Sequence, residues 1–370
     1  MATLQAVRAH LDSIVRASHT PGLQLVVVNA QGPIFDFFGG WADIARRHLL
    51  HSGTTMMAYS MSKTLTAAAV LQVVDSQGLS LDDSISRFLD FSPYGPEVTI
   101  RRLLAHTAGV PNPIPLAWIH SPAVHEHFSE HAALINVLRR HRRLSFAPGT
   151  RYGYSNIGYW LLGAFVQRVT GVAFTTYVRE RILRPLAVTP RECGYKIPSP
   201  PEHARGYLEE YSLMNVFKRV LINREFIGTY CGRWLEIYPH YLNGAAFGGL
   251  VGTAAGIAKF LQDQLRPQSV ILSESSRREF YAQQHTNAGS TVQTSLGWNI
   301  GSYNDRCFYY KEGGGGGFHC MMRLYPTSGI GTVVMTNATG FNVRNLLDTI
   351  DPAFLETDSN VASNVRRVCR

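Results

Sequence analysis

This sequence is short of lysine, of paired cysteines and of long apolar runs. Lysine and arginine together number 35 in 370 residues, yet lysine stands only at positions 63, 196, 218, 259 and 311. The net charge of +9 is therefore carried by dispersed arginines. Their densest cluster, Arg139-Arg140-His141-Arg142-Arg143, falls in a helical pattern and reads as a solvated helix face, not as a nucleic-acid surface. Five cysteines, at 193, 231, 307, 320 and 369, are scattered and never form a C-x-x-C pair. That excludes a disulfide scaffold and a cysteine-based zinc site, and leaves reduced, mostly buried thiols. No apolar run reaches membrane-spanning length. The first nineteen residues lack the charged start, apolar core and small-residue cleavage site of a secretion leader, so the expectation is a cytoplasmic protein without a membrane partner. No G-x-S-x-G occurs, which removes the usual mark of an α/β-hydrolase elbow. His127 and His131 are spaced i, i+4, but there is no H-E-x-x-H around them, and neither metal nor cofactor is expected.

What is present is a globular composition, 45 % apolar and 16 % charged, long enough for one large domain or two interleaved ones. Residues 3–17 form an amphipathic helical pattern. Strand-like runs follow at Leu23–Asn29 and Ile34–Gly39, with Gln31-Gly32 as a hairpin turn. A helix is predicted from Ser62 to Ser76, with Gly78 as its stop. Residues 79–244 hold helical patterns, prolines and loops with little β alternation. Strand signals return from Ser295 onward, with Pro326-Thr327-Ser328-Gly329 as a turn. The reading is an α/β protein: an antiparallel sheet flanked by helices and built from both chain ends (1–78 and 245–370), with a mainly helical region, 79–244, inserted between them.

Three short motifs could carry chemistry. Ser60-Met61-Ser62-Lys63 places a hydroxyl and an amine one helical turn apart on one face. A partly buried amine of lowered pKa can take the proton of such a serine, and the helix start favours the anion that forms. Tyr154-Ser155-Asn156 offers a phenol that can shuttle protons and an amide that can hold a substrate or orient a lysine. Tyr241-Leu242-Asn243 has the same form and competes with it. Lys311-Glu312-Gly313 opens a run of five glycines that is either a floppy linker or a strand edge with exposed N–H groups able to bind an oxyanion. Each motif alone is weak, and each has a plain structural alternative as a cap, a turn or a linker.

Taken in order, Ser-x-x-Lys, Tyr-x-Asn and Lys-x-Gly resemble the signature of the serine β-lactamase and penicillin-binding-protein superfamily, and the tyrosine triplet resembles its class C branch. VTIRRLLAHTAGV (98–110), FGGLVGTAAGIAKFL (247–261) and GGGGGFHCMMRLYPTSGIGTVVMTN (313–337) are similar to further stretches of that branch. The resemblance implies a serine hydrolase working through an acyl-enzyme on Ser60. It implies Lys63, Tyr154 and Lys311 as its catalytic partners and the backbone N–H groups of Ser60 and Gly314 as an oxyanion hole. Asn156, Glu312 and Gly313 would orient the substrate, Lys311 would keep Tyr154 partly ionised, and His106 would be structural. Glu312 stands where β-lactamases carry Thr. A carboxylate there should repel a substrate carboxylate, which points to neutral esters or amides as small-molecule substrates and to a carboxylesterase. An acyltransferase, a β-lactamase or D-amino-acid peptidase, and a non-turnover penicillin-binding or sensor protein are the alternatives. The aromatics Trp118, Phe128, Tyr152, Tyr211, Phe217, Trp234 and Tyr238 could line an apolar cleft, although each reads first as ordinary core.

Overall fold

The computed structural model describes residues 3–113, 118–211, 224–303 and 306–355. Phe217 and the polar tail 356–370 lie outside the described residues. Both chain ends build one seven-stranded antiparallel sheet. The first end supplies β1 (Gly22–Val28), β2 (Pro33–Asp43) and the short β3 (His48–Leu49). The last part supplies β4 (Asn299–Tyr303), β5 (Arg306–Gly315), β6 (Phe318–Tyr325) and β7 (Ile330–Thr336). The order across the sheet is β4-β5-β6-β7-β1-β2-β3, so the two ends meet where β1 pairs with β7 through Leu25↔Val334 and its neighbours.

Every residue of β1 is buried because helices cover both faces of the sheet. Successive side chains of a strand point to opposite faces. Leu23, Leu25 and Val27 accordingly pack with Val7, Leu11 and Ile14 of α1 (Leu4–Arg16), while Val26 and Val28 join the larger core on the other face. That larger core contains α2 (Ser62–Ser76), α3 (Asn156–Thr170) and α4 (Ala254–Leu265). α2 is buried almost all round, from Ser62 to Leu71, because α3 and other helices pack against it within the larger core. The helix that follows Ser60 is therefore the buried seam of the larger core.

The inserted region is less purely helical than its sequence suggests. Gly206–Glu209, Ile227–Cys231 and Trp234–Ile237 form three strands of a four-stranded sheet, and Ala338–Thr339 from the C-terminal part completes it by pairing in parallel with Tyr207-Leu208. These strands span four or five residues at most, too short for an alternating pattern to stand out. Among the described residues no single helix is long and apolar enough to cross a membrane.

Candidate active site

A single 3-10 turn, Tyr59–Met61, runs straight into α2. Ser62 fastens the junction by donating its hydroxyl to the Tyr59 carbonyl at 2.6 Å and accepting the Leu250 N–H at 3.0 Å. Ser60 thus sits at the helix entrance, and Lys63, one turn later, points into the buried seam.

The second segment is a capped helix start. Ser155 caps α3 by accepting the Gly158 N–H at 3.0 Å, and it donates to the Pro111 carbonyl. Its own N–H goes to His106 Nδ1 at 3.1 Å, and the Asn156 N–H goes to Asn112 Oδ1 at 3.0 Å. The middle residue of the triplet does the capping, so Tyr154 and Asn156 are free to face Ser60 and Lys63. His106 accepts a backbone N–H, and burial holds its imidazole well below its ordinary pKa, with Lys311 and Lys63 adding to the shift. It buttresses the Tyr154 ring at 4.5 Å between centroids.

The third segment is β5. Its glycines are neither a linker nor simply exposed, because other segments press against them. A Cβ on Gly313 would lie 2.3 Å from the Ala58 carbonyl oxygen and 3.0 Å from the Ser60 nitrogen, and one on Gly315 would lie 2.6 Å from the Tyr59 ring. Gly317 turns the chain at φ 90°, where a Cβ would strike the Gly206 backbone. Close approach and a left-handed turn both demand glycine here.

These segments bring four of the expected side chains together. Ser60 Oγ lies 2.6 Å from the Tyr154 hydroxyl and 3.1 Å from Lys63 Nζ. Lys63 donates to Asn156 Oδ1 at 2.8 Å and to the Phe247 carbonyl oxygen. Lys311 approaches by its ammonium, with Nζ 5.6 Å from the centre of the Tyr154 ring. Both lysines are almost wholly buried. Burial first, and the nearby Lys311 second, hold Lys63 well below its ordinary pKa, while burial brings Lys311 down to about 7. Desolvation disfavours an ammonium, and a second ammonium close by does so again. Burial and the neighbouring lysine both favour the free-amine form of Lys63.

Two expectations change. Burial pushes the Tyr154 phenol up, with the Ser60 hydrogen bond only partly opposing it. Tyr154 is therefore a neutral phenol and not a partly ionised one, because burial disfavours the phenolate and Lys311 faces the ring. Glu312 engages its carboxylate with His319 Nε2 at 2.9 Å and Arg344 Nη2 at 2.9 Å. Those partners hold it below the usual carboxylate range, His319 foremost. Its charge is compensated, so it does not repel a substrate carboxylate as an isolated glutamate would.

Beside Ser60 opens a cavity of about 370 Å³, lined by Ile119, Phe226, Ile237, Leu242 and Phe247 together with Tyr59, His240 and Gly314–Gly316. Gly314 lies on the cavity beside Ser60, and Gly313 packs beneath it. None of the described aromatics expected to line a cleft borders this cavity: Phe128 lines a separate one, Tyr211 is 85 % exposed, and Trp118 packs behind Phe247. Much of the wall comes from Phe226, Ile237, His240 and Leu242, within residues 195–245, where the sequence offers few family landmarks. The rival triplet is elsewhere engaged, since Tyr241 accepts the Ile197 N–H and Asn243 meets His120 Nδ1. Among the described residues no three His, Cys, Asp or Glu side chains are placed to hold a metal, and His131 lies edge-on to Phe91.

Comparison with known proteins agrees with this architecture. The chain is 24 % identical over 288 residues to penicillin-binding protein 4* of Bacillus subtilis, covering 77 % of this chain and 61 % of that protein. It is 24 % identical to protein flp of Staphylococcus aureus, over 93 % of this chain and 65 % of the relative. The chain thus spans less than two thirds of the length of these curated relatives. The solved D-amino acid amidase of Ochrobactrum anthropi SV3 superposes with a TM-score of 0.79 at 20 % identity, covering 96 % of this chain and 99 % of the amidase, which shows a shared fold. The family model described as Beta-lactamase matches residues 7–353, and the chain belongs to that family.

Proposed function

We propose that this protein is a serine hydrolase that forms an acyl-enzyme on Ser60 and acts on neutral esters or amides with apolar acyl groups, carboxylic esters foremost. The observation that carries the reading is Ser60 Oγ held between Lys63 Nζ and the Tyr154 hydroxyl at the mouth of an apolar cavity.

A neutral amine has two N–H bonds and one lone pair. Asn156 Oδ1 and the Phe247 carbonyl occupy the two N–H bonds of Lys63, so the lone pair is left for the Ser60 hydroxyl. Ser60 attacks the substrate carbonyl as its proton passes to Lys63. The backbone N–H groups of Ser60 and Gly314 receive the developing oxyanion, where losing one donor typically costs about 3 kcal/mol of barrier. Tyr154, a neutral phenol, gives its proton to the departing oxygen or nitrogen and is reprotonated from the Lys63 ammonium. The proton lost by Ser60 thus leaves with the alcohol or amine. Water entering by the same route reverses the transfers and frees the acid; another nucleophile there would make the reaction an acyl transfer. Lys311 contributes positive charge near the phenol without touching its oxygen.

The test is hydrolysis of p-nitrophenyl butyrate and of the matching anilide by wild type and Ser60→Ala, with intact-mass detection of an acyl adduct. Sustained ester turnover that vanishes in Ser60→Ala supports the reading. Hydrolysis surviving in that variant, or no turnover of either substrate by wild type, would overturn it. A burst that stops at one equivalent would favour the non-turnover alternative.

A further inference from the structure

Tyr59, immediately before Ser60, holds φ 43° although it is not glycine. Bulky residues avoid this left-handed region, and one found there persists only because its surroundings fix it. The fixing groups are visible. The phenol donates to the Gly316 carbonyl oxygen at 2.8 Å and lies 3.2 Å from His240 Nε2. The Tyr59 ring covers Gly315 so closely that no side chain fits between them. His240 is anchored in turn, with Nδ1 3.0 Å from the Tyr238 carbonyl oxygen. Three segments distant in sequence (the nucleophile turn, the β5 glycines and the loop before Tyr241) therefore end in one wall of the cavity beside Ser60, next to Phe226 and Ile237.

The main chain at Ser60 does not need this ring. Glycine would adopt the same φ without strain, and the hydrogen bonds of the junction are made by backbone atoms and by Ser62. What the strained tyrosine adds is a polar-tipped aromatic plate inside the acyl space. Resting on the acyl-enzyme reading above, we propose that Tyr59 is a specificity-determining residue: its phenol, latched to Gly316 and His240, closes one side of the cavity and restricts the acyl group to short chains.

The test reads covalent labelling of Ser60, so that it does not depend on turnover. Fluorophosphonates with methyl, butyl and octyl chains are compared by intact mass in wild type, Tyr59→Gly, Tyr59→Asn and Tyr59→Phe. Wild type should label fastest with the short chains. Tyr59→Gly should raise the octyl-to-methyl rate ratio by at least about tenfold, since each methylene admitted to an apolar pocket contributes substantially. Tyr59→Asn, with a small residue that tolerates the left-handed region, should follow it. Tyr59→Phe keeps the plate and should keep the wild-type ratio. An unchanged ratio in both small variants would sink the proposal, and so would a Tyr59→Gly protein that fails to fold, because the backbone is argued not to need the ring. Absence of Ser60 labelling in wild type at every chain length would instead remove the acyl-enzyme reading, and this proposal with it.

Discussion

Replacing Asn156 with alanine tests the arrangement around Lys63 most directly. As a free amine, Lys63 donates twice, to Asn156 Oδ1 at 2.8 Å and to the Phe247 carbonyl, and keeps its lone pair for Ser60. Once it takes the serine proton it becomes an ammonium, still facing the same acceptors. A hydrogen bond to a charged group contributes about 1.5–3 kcal/mol, against roughly 1 for a neutral one, so the amide matters more in the transition state than before it. Lys63 itself is wholly buried, and alanine supplies no acceptor in the amide's place. Asn156→Ala should therefore raise the barrier by about 2 kcal/mol, or lower kcat/KM about thirtyfold. Asn156→Asp separates geometry from charge. It keeps an acceptor in place but adds a negative charge, which favours the ammonium and raises the Lys63 pKa. Less free amine is then present at pH 7, so activity should be low there and recover as pH rises. The assay is kcat/KM for p-nitrophenyl butyrate across the pH range in which the protein is folded, with melting temperature as the folding control. The reasoning fails if folded Asn156→Ala stays within about threefold of wild type, or if Asn156→Asp outperforms wild type at neutral pH.

The remaining predictions address charge, packing and linkage. Lys311→Ala removes the second cause of Lys63's lowered pKa, so Lys63 should hold its proton to higher pH and the acid limb of kcat/KM should move upward; an unmoved limb would separate the two lysines. Gly315→Ala forces a methyl to within 2.6 Å of the Tyr59 ring and should cost about 1–3 kcal/mol in thermal unfolding, which an unchanged melting temperature would contradict. Glu130 accepts the Ala245 N–H through both carboxylate oxygens, and burial raises its pKa to about 7. The folded protein therefore binds this proton more tightly than the unfolded chain does, and ionising Glu130 lowers stability as pH climbs from the ordinary carboxylate range through about 7. Glu130→Gln should melt higher than wild type at pH 8 and lose that advantage at pH 4. A constant difference would refute the linkage.

Much of this protein was written locally. Ser60 at the entrance of α2 with Lys63 one turn on, the turns at Gln31-Gly32 and Pro326–Gly329, and the apolar run of β1 each depend on a few adjacent residues, and local pattern exposes them. The sheet built from both chain ends also followed from the order of strand and helix signals. Other features had no local signal. Tyr154 and not Tyr241 meets Ser60 because Ser155 happens to cap α3 beside His106, a pairing across 49 residues that no spacing rule encodes. The five glycines read equally well as a linker until Ala58, Tyr59 and Gly206 were seen against them. Glu312 looked like a free carboxylate because Arg344 lies 32 residues away. The sequence by itself determined on which elements the candidate groups ride, since periodicity and caps are properties of neighbouring residues. Tertiary structure alone decided which groups are desolvated, which carboxylate is already paired and what walls the cavity, because burial and close approach arise only when distant segments are brought together.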